Sequence, residues 1–350
     1  MVRHIRSLDG IRAVSVMIVF LAHIAPRHMF VPGDFGVTVF FFLSGFLITT
    51  LMRSEFETTG SVNLQHFWLR RALRILPPFY LMLLAAILLA LVLYPPGTIH
   101  GPTLAAQLLF FANYEAIYGV NRKVPGTGVL WSLAVEEHFY LLFPWLYVAM
   151  QRWHMPRARQ ALLLWLLCAL VLAWRSVLTL TMHSSGQRVY IATDTRVDSI
   201  LFGCALAVWI NPVLNDSKWR SHLWKYALLP AALIALMGSF AYRNEMFRQT
   251  WYFSVQGLAL TIVFISAIRF WTWTPFRFLN LRPVAFLGVL SYSLYLVHEV
   301  LLSAVTRLWP QWPPISRAGT TLCGALILAY TIHLFVERPC ARLRKRLTDW

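Results

Sequence analysis

Charge is scarce in this chain of 350 residues: 13% of positions are charged, with 14 acidic side chains against 31 lysines and arginines. A soluble domain of this size exposes a much larger polar surface, so the shortage excludes an ordinary water-soluble globule. Cysteine is equally sparse. Cys168, Cys204 and Cys323 fall inside apolar runs and Cys340 in a basic tail, which excludes a disulfide framework and gives no metal-site spacing, so no metal is expected. Long polar linkers and low-complexity tracts are absent too, so the expectation is one domain over residues 1–350.

What is abundant is hydrophobic: 58% of residues are apolar and 15% aromatic, with 15 tryptophans suited to anchoring at two water–lipid boundaries. The class is therefore an all-α polytopic membrane protein. A net charge of +17 suggests nucleic acid at first sight, but the basic residues are divided among short loops between apolar runs, so no nucleic-acid partner is expected. Apolar runs of spanning length lie near 9–25, 35–52, 74–94, 130–150, 160–182, 197–211, 225–241, 251–269, 284–306 and 317–336. The stretch 103–118 is shorter and broken by Asn113 and Glu115, which predicts a re-entrant or interfacial helix. With ten spans and both termini cytoplasmic, 21 of the 31 lysines and arginines fall on the inner side, as the positive-inside rule requires. The basic start followed by an apolar run lacks a small-residue cleavage site, so it reads as a retained first helix.

Several polar residues lie where lipid would penalise them. In LDGIRAVSVMIVFLAHI, Arg12 and His23 are eleven positions apart, which in a helix separates them by roughly 16 Å of depth. That places Arg12 at the cytoplasmic boundary and His23 beyond the bilayer midpoint. His298, and Glu136 and Glu137 in WSLAVEEHFY, fall within about a turn of the same depth when helix rise is counted from the boundaries. Such residues are functional candidates, although polar groups that join helices are the alternative. A carboxylate beside an imidazole suits general-base chemistry, because it fixes the tautomer and stabilises the imidazolium. Arg70, Arg71 and Arg74 cluster at the entry of the third span, and Arg71 and Arg74 share a helical face that could hold a phosphate. Ser44 and Gly45 permit close approach of another helix or a slender ligand. In RVDSILFG, Arg196 and Asp198 could pair with each other or contact a substrate outside.

Seven ordered pieces of the chain resemble the acyltransferase-3 family of membrane acyltransferases. They are LDGIRAVSVMIVFLAH, FGVTVFFFLSGFLI, RRALRILPPFY, WSLAVEEHFYLLFPW, RVDSILFG, LSYSLYLVHEVLL and VERP at Glu337–Pro339. The resemblance implies ten helices in a bacterial inner membrane that take an acyl group, usually acetyl, from cytoplasmic acyl-CoA. The group goes to a hydroxyl of an envelope glycan, a lipid-linked sugar or a small lipophilic acceptor. His23 becomes the catalytic histidine, and Arg12, Arg71 and Arg74 become candidates for the donor phosphates; from the residues themselves, Glu136 or Glu137 would orient His23. By the same resemblance Glu136, Glu137 and Tyr140 line the site. From the residues themselves, a donor arm could pass Ser44 and Gly45, and Trp131, Arg196, Asp198 and His298 are further candidates for the lining. Some relatives carry a fused extracytoplasmic hydrolase-like domain. This chain shows none up to Trp350, so direct access of the acceptor, a separate relay partner or a homo-oligomer is expected. The rival reading is a transporter or flippase, which also buries ionisable groups, but the two halves show no repeated pattern.

Overall fold

In a computed structural model that describes residues 5–25, 29–120, 122–215 and 220–348, the chain is 81% helical, and no strand occurs among the described residues. Helix α1 is Arg6–Ile24, α2 Gly33–Thr59 and α3 Leu64–Leu93. The short α4 (Gly101–Leu108) and α5 (Ala112–Tyr118) precede α6 (Leu130–Arg152) and α7 (Arg157–Leu180). Another short helix, α8 (Gly186–Ile191), leads into α9 (Thr193–Trp209). The next run joins α10 (Ser221–Leu223) to α11 (Leu229–Ala241) through a π turn at Trp224–Leu228. Helices α12 (Glu245–Gln249), α13 (Tyr252–Arg269), α14 (Thr274–Arg277) and α15 (Arg282–Leu308) follow. At the end, α16 (Pro314–Ile332) continues through a π segment at His333–Glu337 into α17 (Arg338–Thr348).

Each expected span coincides with a helix, and eight helical runs among the described residues are long and apolar enough to cross a membrane. The remaining two expected spans are α9, which has 17 residues, and α6, which carries Glu136, Glu137 and His138. Residues 103–118 depart from expectation by forming two helices instead of one. Phe110 adopts a left-handed φ of 61°, and the Phe111 N–H returns to the Ala106 carbonyl at 2.7 Å, a closure that ends α4.

The chain packs as two compact units, the first comprising Met1–Ser15, Asp34–Val62 and Leu141–Gly288. Within it, α2 and α9 cross at two glycines. A Cβ at Gly45 would overlap the Ile200 carbonyl, and one at Gly203 would overlap the Phe42 carbonyl. This is the small-residue packing expected where lipid supplies no hydrophobic drive between helices. Arg53, buried in the C-terminal third of α2, donates to the Ala207 and Val208 carbonyls at 3.0 and 3.1 Å and so caps the C-terminus of α9. Along α7, Leu162, Leu166 and Leu170 repeat every four residues and are exposed, while Leu164, Cys168, Val171 and Arg175 are buried. A helix with an apolar outer stripe and its polar group inside is adapted to lipid.

The second unit comprises Val16–Gly33, Asn63–Tyr140 and Val289–Trp350. Helix α15 is its hub, and three side chains at three-residue steps reach three neighbours. Tyr292 donates to the Ile75 carbonyl of α3 at 2.9 Å, Tyr295 shares a 2.6 Å hydrogen bond with Ser132 of α6, and His298 meets His23 of α1. Glu299 accepts the Val129 N–H at 2.8 Å and so caps the start of α6. Asn63 caps α3 by accepting from the His66 N–H at 2.9 Å. Pro77 and Pro78 lie inside α3 and leave the Leu73 and Arg74 carbonyls without their helical donors, a local break beside the arginine motif. In the VERP motif, Glu337 accepts from Ser293 at 2.6 Å and faces the His333 Nδ1 at 2.7 Å.

Candidate active site

His23 sits in the last turn of α1, with its Nδ1 2.8 Å from the Val19 carbonyl. A carbonyl only accepts, so the hydrogen bond places the proton of the neutral ring on Nδ1 and leaves a lone pair on Nε2. His23 is exposed as a residue. Its ring neighbour is His298, at 5.0 Å between centroids and 71° between planes. His298 is 1% exposed, and its Nδ1 lies 2.7 Å from the Tyr295 carbonyl, which sets the same tautomer. Phe20 and Tyr295 close around His298 at 6.1 and 5.8 Å. Backbone carbonyls, rather than a carboxylate, therefore meet the Nδ1 atoms of both rings.

The carboxylates keep company with the arginines. Arg71 lies over the rings of Tyr140 and Phe67 at 5.4 and 5.9 Å, and Glu136 and Arg74 are within electrostatic range of it. Glu137 is within range of both Glu136 and Arg71, and Tyr292 is within range of both glutamates and Arg74. Trp68 donates from Nε1 to the Tyr140 carbonyl at 3.0 Å, which ties the start of α3 to α6. Trp131, in the first turn of α6, is partly buried. Helix α17 packs along α3 and adds Arg344, within electrostatic range of Arg70, Arg71 and Arg74. Four cations at one place repel one another, so an anion bound among them would relieve the repulsion.

Sequence reasoning passed over Arg344, Tyr292 and Tyr295. A basic tail alone reads as a boundary marker, and only the fold carries α17 back to α3. The two tyrosines carried a usable signal, because they precede His298 at intervals of three. Along α15, Tyr292 at the arginine cluster and His298 at the imidazole pair are six residues apart, a rise of about 9 Å. One helix thus links the two groups.

Other expected site residues have local partners in the first unit. Arg12 is paired with Asp9 at 2.9 Å. Ser44 is partly buried next to Gly45, whose missing Cβ is used by the crossing with α9. Arg196 and Asp198 do not form the pair that their spacing allowed. Asp198 is bridged to Arg175 at 2.8 Å, with both side chains fully buried, and Arg175 also donates to Ser254 at 2.6 Å and to the Thr195 carbonyl at 2.8 Å. Arg196 is also fully buried; it lies 3.5 Å from the Phe253 ring centroid and donates to Thr38 at 3.0 Å. Positions i and i+2 on a helix point apart, so each takes a partner from another element. Among the described residues no group of three His, Cys, Asp or Glu side chains is placed to hold a metal ion.

An all-helical membrane-type fold with an imidazole pair and a convergence of arginines narrows the class to enzymes and transporters of membrane-embedded chemistry. Comparison with known families decides it. A profile described as an acyltransferase domain matches residues 5–334, and the chain belongs to that family, acyltransferase-3. It is 28% identical over 96% of its length to the peptidoglycan O-acetyltransferase OatA of Listeria monocytogenes, covering 56% of that protein. The O-acetyltransferase OatA of Staphylococcus aureus strain NCTC 8325 is likewise 28% identical over 96% of the chain, with 57% of that protein covered. A putative O-acetyltransferase of S. aureus strain COL is 28% identical over 99% of the chain and 59% of its own length. The chain therefore spans little more than half the length of these curated relatives. No solved structure matches it.

Proposed function

We propose that this chain is a membrane O-acyltransferase that moves an acyl group, acetyl first of all, from cytoplasmic acyl-CoA to a hydroxyl of an envelope glycan or lipid-linked sugar. The observation that carries the reading is the hydrogen bond of His23: Nδ1 donates to the Val19 carbonyl, which leaves the Nε2 lone pair of an exposed residue to act as a base. Arg71, Arg74, Arg70 and Arg344 suit the phosphates of the donor, since guanidinium groups bind phosphate through paired hydrogen bonds. The linking stripe of α15 suits a thioester arm running from that end of the site to His23.

In the transfer step, Nε2 of His23 takes the proton of the acceptor hydroxyl as its oxygen attacks the thioester carbonyl. The new carbon–oxygen bond forms, the carbon–sulfur bond breaks, and the thiolate leaves and is protonated by the imidazolium. An acyl-histidine variant uses the same lone pair, with Nε2 as nucleophile. Relatives named for peptidoglycan O-acetylation support a cell-wall glycan as acceptor, reached directly, through a separate extracytoplasmic partner or within a homo-oligomer. The positive-inside distribution supports a bacterial inner-membrane location with the arginine end facing the cytoplasm.

The test combines two measurements. Mass spectrometry of envelope glycans and lipids with and without the gene should show one lost acyl mass. Membranes carrying the wild type should transfer label from radioactive acetyl-CoA to that material, and His23→Ala should lower transfer by about a hundredfold or more at normal protein levels. Near-normal transfer by His23→Ala rejects the base assignment, and an unchanged envelope rejects the function.

A further inference from the structure

His298 carries an unspent hydrogen-bonding atom. Its Nδ1–H is donated to the Tyr295 carbonyl, so Nε2 bears a lone pair; that atom is buried and has no hydrogen-bond partner. A buried polar atom left without a partner costs stability, and the great majority of such atoms are satisfied. His23 offers no relief, because its own proton is committed to Val19 and its Nε2 is a second acceptor. The pair therefore has two lone pairs and no hydrogen to share between them. Phe20 supplies an apolar ring beside it, and the Tyr295 hydroxyl is engaged with Ser132.

We infer that His298 is a substrate-binding residue of the transfer site, and that its Nε2 accepts a hydrogen bond from an N–H or O–H group of a reactant held against His23. This rests on the acyltransferase reading above. The reaction brings two groups of that chemistry close to the reacting carbonyl: the amide N–H nearest the thioester in the acyl-CoA arm, and a hydroxyl of the acceptor next to the one that attacks. With ring centroids 5.0 Å apart, the two imidazoles are close enough to engage a single reactant. His23 then removes a proton while His298 holds the same molecule in register, so the second contact is one of orientation.

The kinetics of purified full-length protein in lipid nanodiscs, with acetyl-CoA as donor and extracted envelope glycan as acceptor, test this directly. His298→Phe keeps a ring of similar size but has no acceptor atom, whereas His298→Gln restores an amide oxygen near the position of Nε2. His298→Phe should lower kcat/KM by about tenfold to a hundredfold, and His298→Gln should recover most of that loss. A rise in KM confined to acetyl-CoA assigns the bond to the donor amide; one confined to the glycan assigns it to the acceptor hydroxyl. Either result supports the inference. His298→Phe within about threefold of wild type, or His298→Gln as impaired as His298→Phe, overturns it. Size exclusion and thermal unfolding of each variant ensure that only folded protein is compared. A wild type that transfers no acetyl group indicts the acyltransferase reading itself, whereas an active wild type with an inactive His23→Ala and a normal His298→Phe removes this inference alone.

Discussion

At the scale of single residues, the site is organised by where hydrogen atoms and charges are held. His23 keeps its Nε2 lone pair because Nδ1 meets a carbonyl one turn earlier in its own helix, so the tautomer that the proposed base needs is written into α1. The arginines act through number. Arg71 and Arg74 lie three residues apart on α3, and Arg344 joins them from α17. Replacing Arg71 or Arg74 by alanine should raise the KM for acetyl-CoA by about tenfold each, since a charge-assisted hydrogen bond to phosphate is lost. Arg344→Ala should raise it in the same direction by less, because its neighbours remain. Unchanged donor KM values in all three variants would remove the arginine cluster from the donor site. The sequence disclosed the candidates Arg71, Arg74 and His23 through composition and depth. It did not disclose that Glu136 and Glu137 keep company with Arg71, because adjacent positions on a helix leave their partners undetermined.

At the scale of elements, close approach matters more than side-chain size. The crossing of α2 with α9 depends on Gly45 and Gly203, each set against a carbonyl of the other helix. Gly45→Leu and Gly203→Val should each destabilise the protein by about 1–3 kcal/mol or more, because backbone atoms cannot yield as a side chain can. The check is thermal unfolding in detergent, with both variants melting well below wild type. Melting at the wild-type temperature would mean that the crossing tolerates a wider separation. Gly45 was legible in the sequence as a small-residue break, but its partner was not, because the contact joins positions 155 apart in the chain. The pair of short helices α4 and α5 is a second case. The polar interruption at Asn113 was visible, whereas the left-handed Phe110 that ends α4 has no strong signal, since bulky residues seldom adopt that conformation.

At the scale of the whole molecule, ionic groups buried in a lipid-exposed fold are held by partners brought from far along the chain. Arg175 and Asp198, both at zero exposure, form a closed set with Ser254 and the Thr195 carbonyl. Removing one partner leaves an uncompensated buried charge, so Arg175→Met should cost about 3–5 kcal/mol in stability. Combining Arg175→Met with Asp198→Leu should recover much of that loss, as an apolar pair of similar volume often replaces a buried bridge. Chemical denaturation of the double variant and of each single variant, Arg175→Met and Asp198→Leu, measures the coupling, and additive losses would show that the pair contributes independently rather than as a unit.

By itself the sequence determined the class, the number and placement of the apolar helices and the identity of the family, because lipid imposes long apolar runs and leaves each ionisable residue conspicuous against them. It also marked His23, His298 and the arginine motif as candidates for chemistry. The tertiary structure alone decided the partners: His298 beside His23, Arg175 with Asp198, and α17 returning to α3. Helix periodicity fixes which residues share a face, but an apolar face is equally compatible with many neighbours, and only packing selects among them.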